Sequence, residues 1–262
     1  MKLTTILFSA AVLALGTSAF AITGKEVVQK ALDVPEPEHT MAQVYMDLID
    51  KSGKTERRQM MEYGKSAGGL KSVAILFQSP ASIKDTRYLQ LEQGGGKKDL
   101  KWIYMPDLRN SRQINADGGS GSFMGSDATY DDMSTRDIDD DTHELLGEES
   151  KNGYNCYKVQ STPVNPKDSQ YKYRIQWIDK ATWVPVYAEM YDKQGKLLKV
   201  LTVEKLGKEK GQSGKTYDIP RSTLLENVQS GHKTRMIIEK LQLDGTNIPD
   251  RLFTTNWLNT GR

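Results

Sequence analysis

The most constraining feature of the sequence is a period-two alternation of apolar and polar residues, which recurs in short segments along most of the chain. In the first segment Ala42, Val44, Met46 and Leu48 alternate with mostly polar residues. Successive side chains of a β-strand point to opposite faces, so this pattern predicts strands with one apolar face. Turn sequences separate the segments, and the Asn-Gly pair at 152–153 is typical of a tight hairpin. The chain is therefore predicted to be mainly antiparallel β-structure.

The number of segments predicts the architecture. We expect about eleven strands, a number at which an antiparallel sheet curls into a barrel or half barrel. A single cysteine cannot form an internal disulfide, so stability must come from a packed core. No interdomain linker is recognisable, and residues 22–262 are expected to form one domain. The predicted strand segments are 42–49, 57–63, 70–77, 87–92, 100–105, 142–149 and 154–161, followed by runs that begin near residues 171, 183, 197, 215 and 233.

The first 21 residues have the pattern of a cleavable secretory signal. Lys2 precedes an apolar run over residues 3–15, and an A-x-A pattern ends the segment at 19–21. The run is shorter than the roughly 20 residues that span a bilayer. The only cysteine, Cys156, lies far from the cleavage site, so an N-terminal lipid anchor is not expected. We predict a signal peptide at 1–21 and a soluble, periplasmic mature protein.

A short amphipathic helix is predicted directly after the signal. Thr23 and Glu26 form a T-x-x-E capping box, and Pro35 stops the helix. Apolar residues three and four apart lie on one face of such a helix. That face carries Val27, Val28, Ala31 and Leu32.

No catalytic or metal-binding motif is recognisable in the sequence. His39, His143 and His232 are far apart, and the lone cysteine has no C-x-x-C partner. The G-x-S-x-G motif is missing, and the run GGGKK at 94–98 lacks the spacing of a phosphate-binding loop. The formal charge of +2 at pH 7 gives no basic field for nucleic acid. We therefore expect no enzymatic activity, no cofactor, no metal and no nucleic-acid partner.

The segment 127–149 is strongly acidic, with ten acids and one base. Three interpretations are open. Asp137, Asp139, Asp141 and Glu148 fall at positions 1, 3, 5 and 12 of a calcium loop, although Thr142 stands where that loop requires glycine. In the second interpretation, the segment is a solvated acidic face. In the third interpretation, Asp139, Asp140 and Asp141 form a docking patch for a basic partner.

Three phrases of the sequence resemble the periplasmic outer-membrane lipoprotein-sorting proteins of the LolA/LolB-like superfamily. They are KWIYMPDL at 101–108, FMGSDATYDDM at 123–133 and WVPV at 183–186. The second is similar to a G-S-D-x-x-Y-x-D phrase of one branch of that superfamily. The resemblance covers most of the mature chain. It implies an unclosed antiparallel β-barrel of about eleven strands, with short helices across its open side, and a role in lipoprotein traffic.

The G-S-D phrase is expected to form part of a lid. Ser126 or Asp127 suits the N-cap of a short helix over 128–133. The N-terminal helix is too short to be stable alone, so its apolar face must rest on the open side of the barrel. A purely structural corner is the alternative role of the phrase. The expected lid residues are Val28, Leu32, Tyr130 and Met133.

A half barrel with an apolar concave face predicts a hydrophobic ligand. We expect a monomeric, non-catalytic carrier or chaperone for lipoprotein acyl chains or another hydrophobic molecule. By resemblance it works with an inner-membrane transporter that exports its ligand. The alternative is a periplasmic sensor or regulatory module that binds a membrane protein or lipoprotein. The residues expected to line the cavity are Val44, Met46, Leu48, Val73, Ile75, Phe77, Leu89, Leu91, Trp102, Tyr104, Ile175 and Trp177.

Overall fold

The structure, a computed structural model, describes residues 22–95, 97–115, 118–246 and 248–262. The predicted signal at 1–21 lies outside these residues. Most of the described chain is in β-strands, which confirms the predicted fold class. The helices are α1 (Gly24–Leu32) and α2 (Thr255–Thr260), and the strands are β1 (His39–Ile49), β2 (Thr55–Ala67), β3 (Leu70–Ser79), β4 (Arg87–Leu91), β5 (Leu100–Met105), β6 (Asn110–Gln113), β7 (Asp141–Lys151), β8 (Tyr154–Pro163), β9 (Tyr173–Asp179), β10 (Pro185–Tyr191), β11 (Leu197–Lys210), β12 (Thr216–Asn227) and β13 (His232–Leu243).

The strands form one antiparallel sheet in the order β6-β5-β4-β3-β2-β1-β13-β12-β11-β10-β9-β8-β7. Every neighbouring pair except β1 and β13 is consecutive in the sequence, as expected for a meander of hairpins. In the described chain the outermost strands, β6 and β7, do not pair with each other, so the barrel is unclosed. The sheet has thirteen strands where about eleven were predicted. One strand that escaped prediction is β6, whose sequence NSRQ has no apolar alternation.

The sheet is strongly curled, as two lysines from distant strands show. Lys101 Nζ on β5 lies 2.7 Å from the carbonyl oxygen of Tyr130, and Lys199 Nζ on β11 lies 3.0 Å from a carboxylate oxygen of Asp132. In a flat sheet β5 and β11, seven positions apart, would be about 34 Å from each other. The Cα atoms of residues 130 and 132, which the two lysines reach, can be only about 7 Å apart. The sheet therefore wraps around the segment 118–135, which we call the inner loop.

The two faces of the sheet are covered by different segments. The inner face, which carries Val44 and Ile75, is covered by the inner loop. The outer face of the β2–β5 region is covered by the C-terminal segment, where Trp257 and Leu258 pack on Leu89. Helix α2 therefore lies outside the barrel and does not contribute to the predicted lid.

Helix α1 covers one end of the inner face. The predicted capping box is present: the Thr23 hydroxyl accepts from the amide of Glu26, and the Glu26 carboxylate accepts from the amide of Thr23 at 2.7 Å. The Glu26 carboxylate also accepts from the Thr23 hydroxyl, and the hydrogen bonds that it accepts from the amide and the hydroxyl of Thr23 lower the pKa of Glu26. Val27 is fully buried against Val159 and Ile178, on β8 and β9. The cap fixes where the helix starts, and Val27 fixes which face is buried.

Gly24 allows α1 to approach β7 closely, so Gly24→Ala is expected to displace the helix. An added Cβ would lie 2.7 Å from the backbone nitrogen of Leu145 and 2.9 Å from the carbonyl oxygen of His143. Although alanine favours helix formation, this clash is expected to cost about 1 to 3 kcal/mol in unfolding free energy. Chemical denaturation measures the loss. Lys25→Ala, in the same turn but exposed, is the control and should change stability far less.

Candidate ligand-binding interior

The inner face of β1–β4 carries a broad cluster of apolar side chains. Six of the twelve predicted cavity residues lie together on it, and Met60 and Tyr88, which had not been singled out, complete it. Met60 and Tyr88 are fully buried. The six predicted residues brought together here are Val44, Met46, Leu48, Val73, Ile75 and Phe77.

The inner loop fills this surface with aromatic side chains. The Phe123 ring lies 5.2 Å from that of Tyr88 and 6.2 Å from that of Phe77, measured between centroids. Tyr130 packs edge-on against Phe123 at 5.7 Å and lies 6.0 Å from Tyr88. Such tilted and edge-to-face pairs are favourable arrangements of aromatic rings. The apolar face is therefore covered by the protein's own chain.

The inner loop contains turns instead of the helix predicted over 128–133. Its only β-contact among the described residues is an isolated bridge between Ser122 and Thr129. Asp127 does not cap a helix: its carboxylate accepts from the Thr234 hydroxyl at 2.7 Å and contacts His232 Nδ1 at 2.8 Å. The backbone amide of Asp127 also donates to the Thr234 hydroxyl, at 2.8 Å. Asp127 therefore anchors the loop to β13, and this anchor satisfies the groups that a helix would have used.

Buried charges hold the inner loop to the two sides of the barrel. The side chains of Lys101 and Lys199 are only 7% and 5% exposed. Lys199 pairs with Asp132, which also accepts from the hydroxyl of Tyr171 at 2.9 Å. Removing such a partner would leave a charge buried without compensation. These contacts are therefore structural supports of the loop.

Burial shifts the ionisation of the groups around the loop. Burial lowers the pKa of Lys101, and the carboxylate of Asp131 opposes that change. Burial also raises the pKa of Tyr171, with a further contribution from Asp132. Both shifts have the direction expected when the charged form loses hydration.

Two cavities open beside the inner loop. The larger, of about 370 Å³, is polar and is lined among others by Lys98, Asp131 and Tyr171. The smaller, of about 220 Å³, lies beneath α1 and combines the apolar side chains of Val28 and Leu32 with polar groups from β7–β9. Neither cavity is a ready-made apolar tunnel. The apolar surface itself lies beneath the inner loop.

Arg174 forms part of the wall of both cavities. It pairs with the carboxylate of Asp141. The same carboxylate accepts a bidentate pair of hydrogen bonds from the guanidinium group of Arg136, each 3.0 Å long. Burial lowers the pKa of Arg174, the Asp141 carboxylate opposes this effect, and the Arg136 charge adds to it. Arg174 Nε is the one buried side-chain nitrogen or oxygen in the described chain that has no hydrogen-bond partner.

Four predicted cavity residues lie on the opposite face of the sheet. The register pairs Leu89 with Ala74 and Trp102, and this row packs under the C-terminal segment. Strand β4, RYLQL, is almost entirely buried, so its apolar residues do not reveal which face is inside. A shift of one residue exchanges the two faces. The prediction was therefore wrong for Leu89, Leu91, Trp102 and Tyr104.

Ile175 and Trp177 also lie on the outer face, contrary to the prediction. The alternate residues of the same strand, Arg174, Gln176 and Ile178, line the cavity under α1. Trp177 instead packs edge-on against Tyr187 at 5.1 Å. An outer face rich in aromatic residues was mistaken for the interior.

The predicted lid residues do not meet as one group. Tyr130 and Met133 belong to the apolar cluster around Val44, whereas Val28 packs with the cluster under α1. Leu32 is 39% exposed. The helix and the inner loop thus cover different parts of the inner face, because α1 is fixed on β7–β9 by Val27.

The predicted docking residues have different environments. Asp141 is buried between the two arginines, so it cannot belong to a surface patch. Asp139 is exposed and pairs with Lys25 at 2.6 Å, while Asp140 is exposed and accepts from the amide of Asp137.

The calcium interpretation has no geometric support, since no three acidic, histidine or cysteine side chains of the described residues converge.

The chain is similar to a family of uncharacterised proteins and to solved structures that include an outer-membrane lipoprotein-sorting protein domain. A family model described as "Uncharacterized protein" matches residues 69–260. A DUF1329 family protein from Desulfovibrio piger is 27% identical, with a TM-score of 0.81 over 90% of this chain and 97% of that one. A domain from Vibrio parahaemolyticus that carries the name outer membrane lipoprotein-sorting protein is 26% identical, with a TM-score of 0.81 over 90% and 98%.

A third solved structure supports the fold alone. A LolA superfamily protein from Nitrosomonas europaea is 18% identical, with a TM-score of 0.67 over 91% of this chain and 100% of that one. No curated protein matches the sequence. Within the described residues, none of the helices has the length and apolar character needed to cross a membrane.

Proposed function

The chain belongs to the family whose model matches residues 69–260, and from its likeness to LolA-like and lipoprotein-sorting structures we propose that it is a periplasmic, non-catalytic carrier of a hydrophobic ligand. Lipoprotein acyl chains are the first candidate ligand. An inner-membrane transporter is the partner that the resemblance implies. The secretory pattern of residues 1–21 supports the compartment.

The observation that carries this proposal is the way the apolar inner face is covered. The inner loop has no regular secondary structure, and side-chain contacts such as Asp127 to Thr234 hold it to the strands. Beneath it lies a broad apolar surface on a sheet that hydrogen-bonds its own backbone without the loop. We infer that an acyl chain replaces the loop on this surface.

The free energy lost when the inner loop leaves the apolar surface is comparable to the free energy gained when an acyl chain covers it. Such a near balance is needed if the loop and the ligand are to exchange. Uncovering four large side chains of the loop costs about 6 to 12 kcal/mol at about 1.5 to 3 kcal/mol each. Shielding an acyl chain of about 16 carbons gains about 13 kcal/mol. A carrier must both bind and release its ligand, and a near balance between loop and ligand permits both. The four side chains are those of Phe123, Met124, Tyr130 and Met133.

Binding of a fluorescent acyl probe tests the proposal. We expect saturable binding at micromolar concentration, followed through an environment-sensitive group on the probe. Intrinsic tryptophan emission is a poor readout because Trp102 and Trp177 lie on the outer face. Mass spectrometry of an organic extract of natively purified protein should identify the ligand. A lack of saturable binding would contradict the carrier function.

Two adjacent methionines of β2 provide a matched pair of variants. Met60 faces the interior and is fully buried, whereas the next residue, Met61, has the opposite orientation. We expect Met60→Gln to weaken acyl binding by about tenfold, because it places an amide in the apolar site. Met61→Gln should leave binding nearly unchanged. Equal effects of the two substitutions would show that the probe does not bind on the inner face.

A further inference from the structure

Glu62 is a carboxyl group in the wall of the apolar interior. The register places it between Ala42 on β1 and Ile75 on β3, which are both buried members of the inner-face cluster. Met60, two residues earlier on the same strand, belongs to that cluster as well. The side chain of Glu62 therefore shares the face on which the proposed ligand lies.

Glu62 differs from the other charged groups around the interior because it has no partner. Lys101, Lys199, Asp127 and Asp132 each bind a group of opposite charge or a hydrogen-bonding group. Glu62 makes no hydrogen bond or ion pair with any of the described residues, and burial alone raises its pKa. A carboxyl group in this position weakens the fold unless something binds it.

There is space beside Glu62 for a ligand group. Glu62 is partly buried, and its carboxylate oxygens are not among the fully enclosed side-chain atoms that lack a partner in the described residues. Gly64, two residues further along the same face, leaves a gap in the apolar wall. Its backbone lies outside the left-handed region, and an added Cβ would meet only Thr40, at 3.4 Å and beyond. The backbone therefore does not require glycine here, whereas glycine in a strand is common where another molecule approaches.

We propose that Glu62 binds a hydrogen-bond donor, a hydroxyl or an ammonium group, carried by an otherwise apolar ligand on the inner face. This inference rests on the proposed carrier function and specifies the class of ligand. Both protonation states of the carboxyl group accept a hydrogen bond. The donor group satisfies the lone carboxyl, while the chain of the ligand covers the surrounding apolar surface.

Three probes of equal chain length test this assignment in competition with the fluorescent acyl probe. They are dodecanol, dodecylamine and dodecyl methyl ether, of which only the ether lacks a donor. We expect the unmodified protein to bind the alcohol, the amine or both at least about tenfold more tightly than the ether. Glu62→Leu should abolish this preference while retaining or improving binding of the ether.

Two further variants separate the possible origins of the preference. Glu62→Gln still accepts from a hydroxyl but cannot pair with an ammonium group, so it should keep a preference for the alcohol and lose one for the amine. Gly64→Val keeps the carboxyl and fills the gap, and it should weaken donor-bearing probes most. Equal binding of the three probes, or a preference that survives Glu62→Leu, would overturn the role of Glu62. Failure of every probe to bind would instead refute the carrier function itself.

Discussion

Asp141→Asn is expected to lower the free energy of unfolding by about 3 kcal/mol. The substitution keeps the size of the side chain but removes the charge that compensates Arg136 and Arg174. Breaking a buried ion pair from one side typically costs about 3 to 5 kcal/mol. The lower end applies because the two arginine side chains are still 20% and 23% exposed. Urea denaturation should show a lower midpoint with an unchanged slope.

A matched control and a second substitution identify the cause of this loss. Asp139→Asn removes a carboxylate two residues away whose pair with Lys25 is exposed, so it should have little effect. Adding Arg174→Met to Asp141→Asn should recover part of the lost stability, since one of the two uncompensated charges is then gone. If Asp139→Asn and Asp141→Asn had equal effects, the arginine cluster would not be a support of the fold.

The same aspartate shows what sequence can and cannot reveal about charge. A run of acidic residues indicates an acidic segment, but each carboxylate acquires its role from partners distant in the sequence. Arg174 contacts Asp141 only because β7, β8 and β9 are adjacent in the sheet. The neighbouring Asp139 pairs with an exposed lysine, Lys25, and Asp140 accepts only from the nearby amide of Asp137, so both stay exposed. The predicted docking patch was therefore wrong for Asp141, which is buried. Docking at Asp139 and Asp140 stays a prediction.

The β-hairpins were predictable because their signals are local. Alternation over 42–49 and the Asn-Gly turn at 152–153 depend on neighbouring residues, and both features are present in the structure. The capping box of α1 is equally local. The inward face of β4 was not predictable, because Tyr88 and Leu89 are both fully buried and only the pairing with β3 decides which one faces inside.

Several residues that shape the interior could hardly be recognised from the sequence. Phe123 and Tyr130 belong to the phrase that resembled the superfamily, but the helix predicted there hid their role as a cover. Lys101 and Lys199 look like ordinary strand residues in the sequence. Glu62 did not stand out in the sequence, because β2 shows no clear apolar alternation: among its inward-facing residues only Met60 has a large apolar side chain.

A disulfide that fixes the inner loop to β13 is expected to weaken acyl binding strongly. In Asp127→Cys with Thr234→Cys, the new cysteines replace two side chains whose oxygen atoms lie 2.7 Å apart. The native Cys156 should not interfere, because it is buried and burial raises its pKa to about 11. If the ligand replaces the loop, closing the bond removes the binding-competent state, and apparent affinity should fall by about tenfold or more.

The reduced form of the same double variant is the internal control, since a reductant should restore uptake without any change of sequence. A second control places Asp47→Cys with Arg57→Cys across the outer face of β1 and β2, where a disulfide leaves the inner loop unrestrained. That protein should take up the probe equally well in both redox states.

The stability of the oxidised loop variant shows whether its disulfide distorts the barrel. If the bond forms without distortion, the free energy of unfolding should rise by about 2 to 4 kcal/mol. If this stabilised, oxidised protein still bound the probe at full affinity, the inner loop would not be the group that the ligand displaces. The cavity beneath α1, which also has apolar side chains in its wall, would then be the next candidate for entry of the acyl chain.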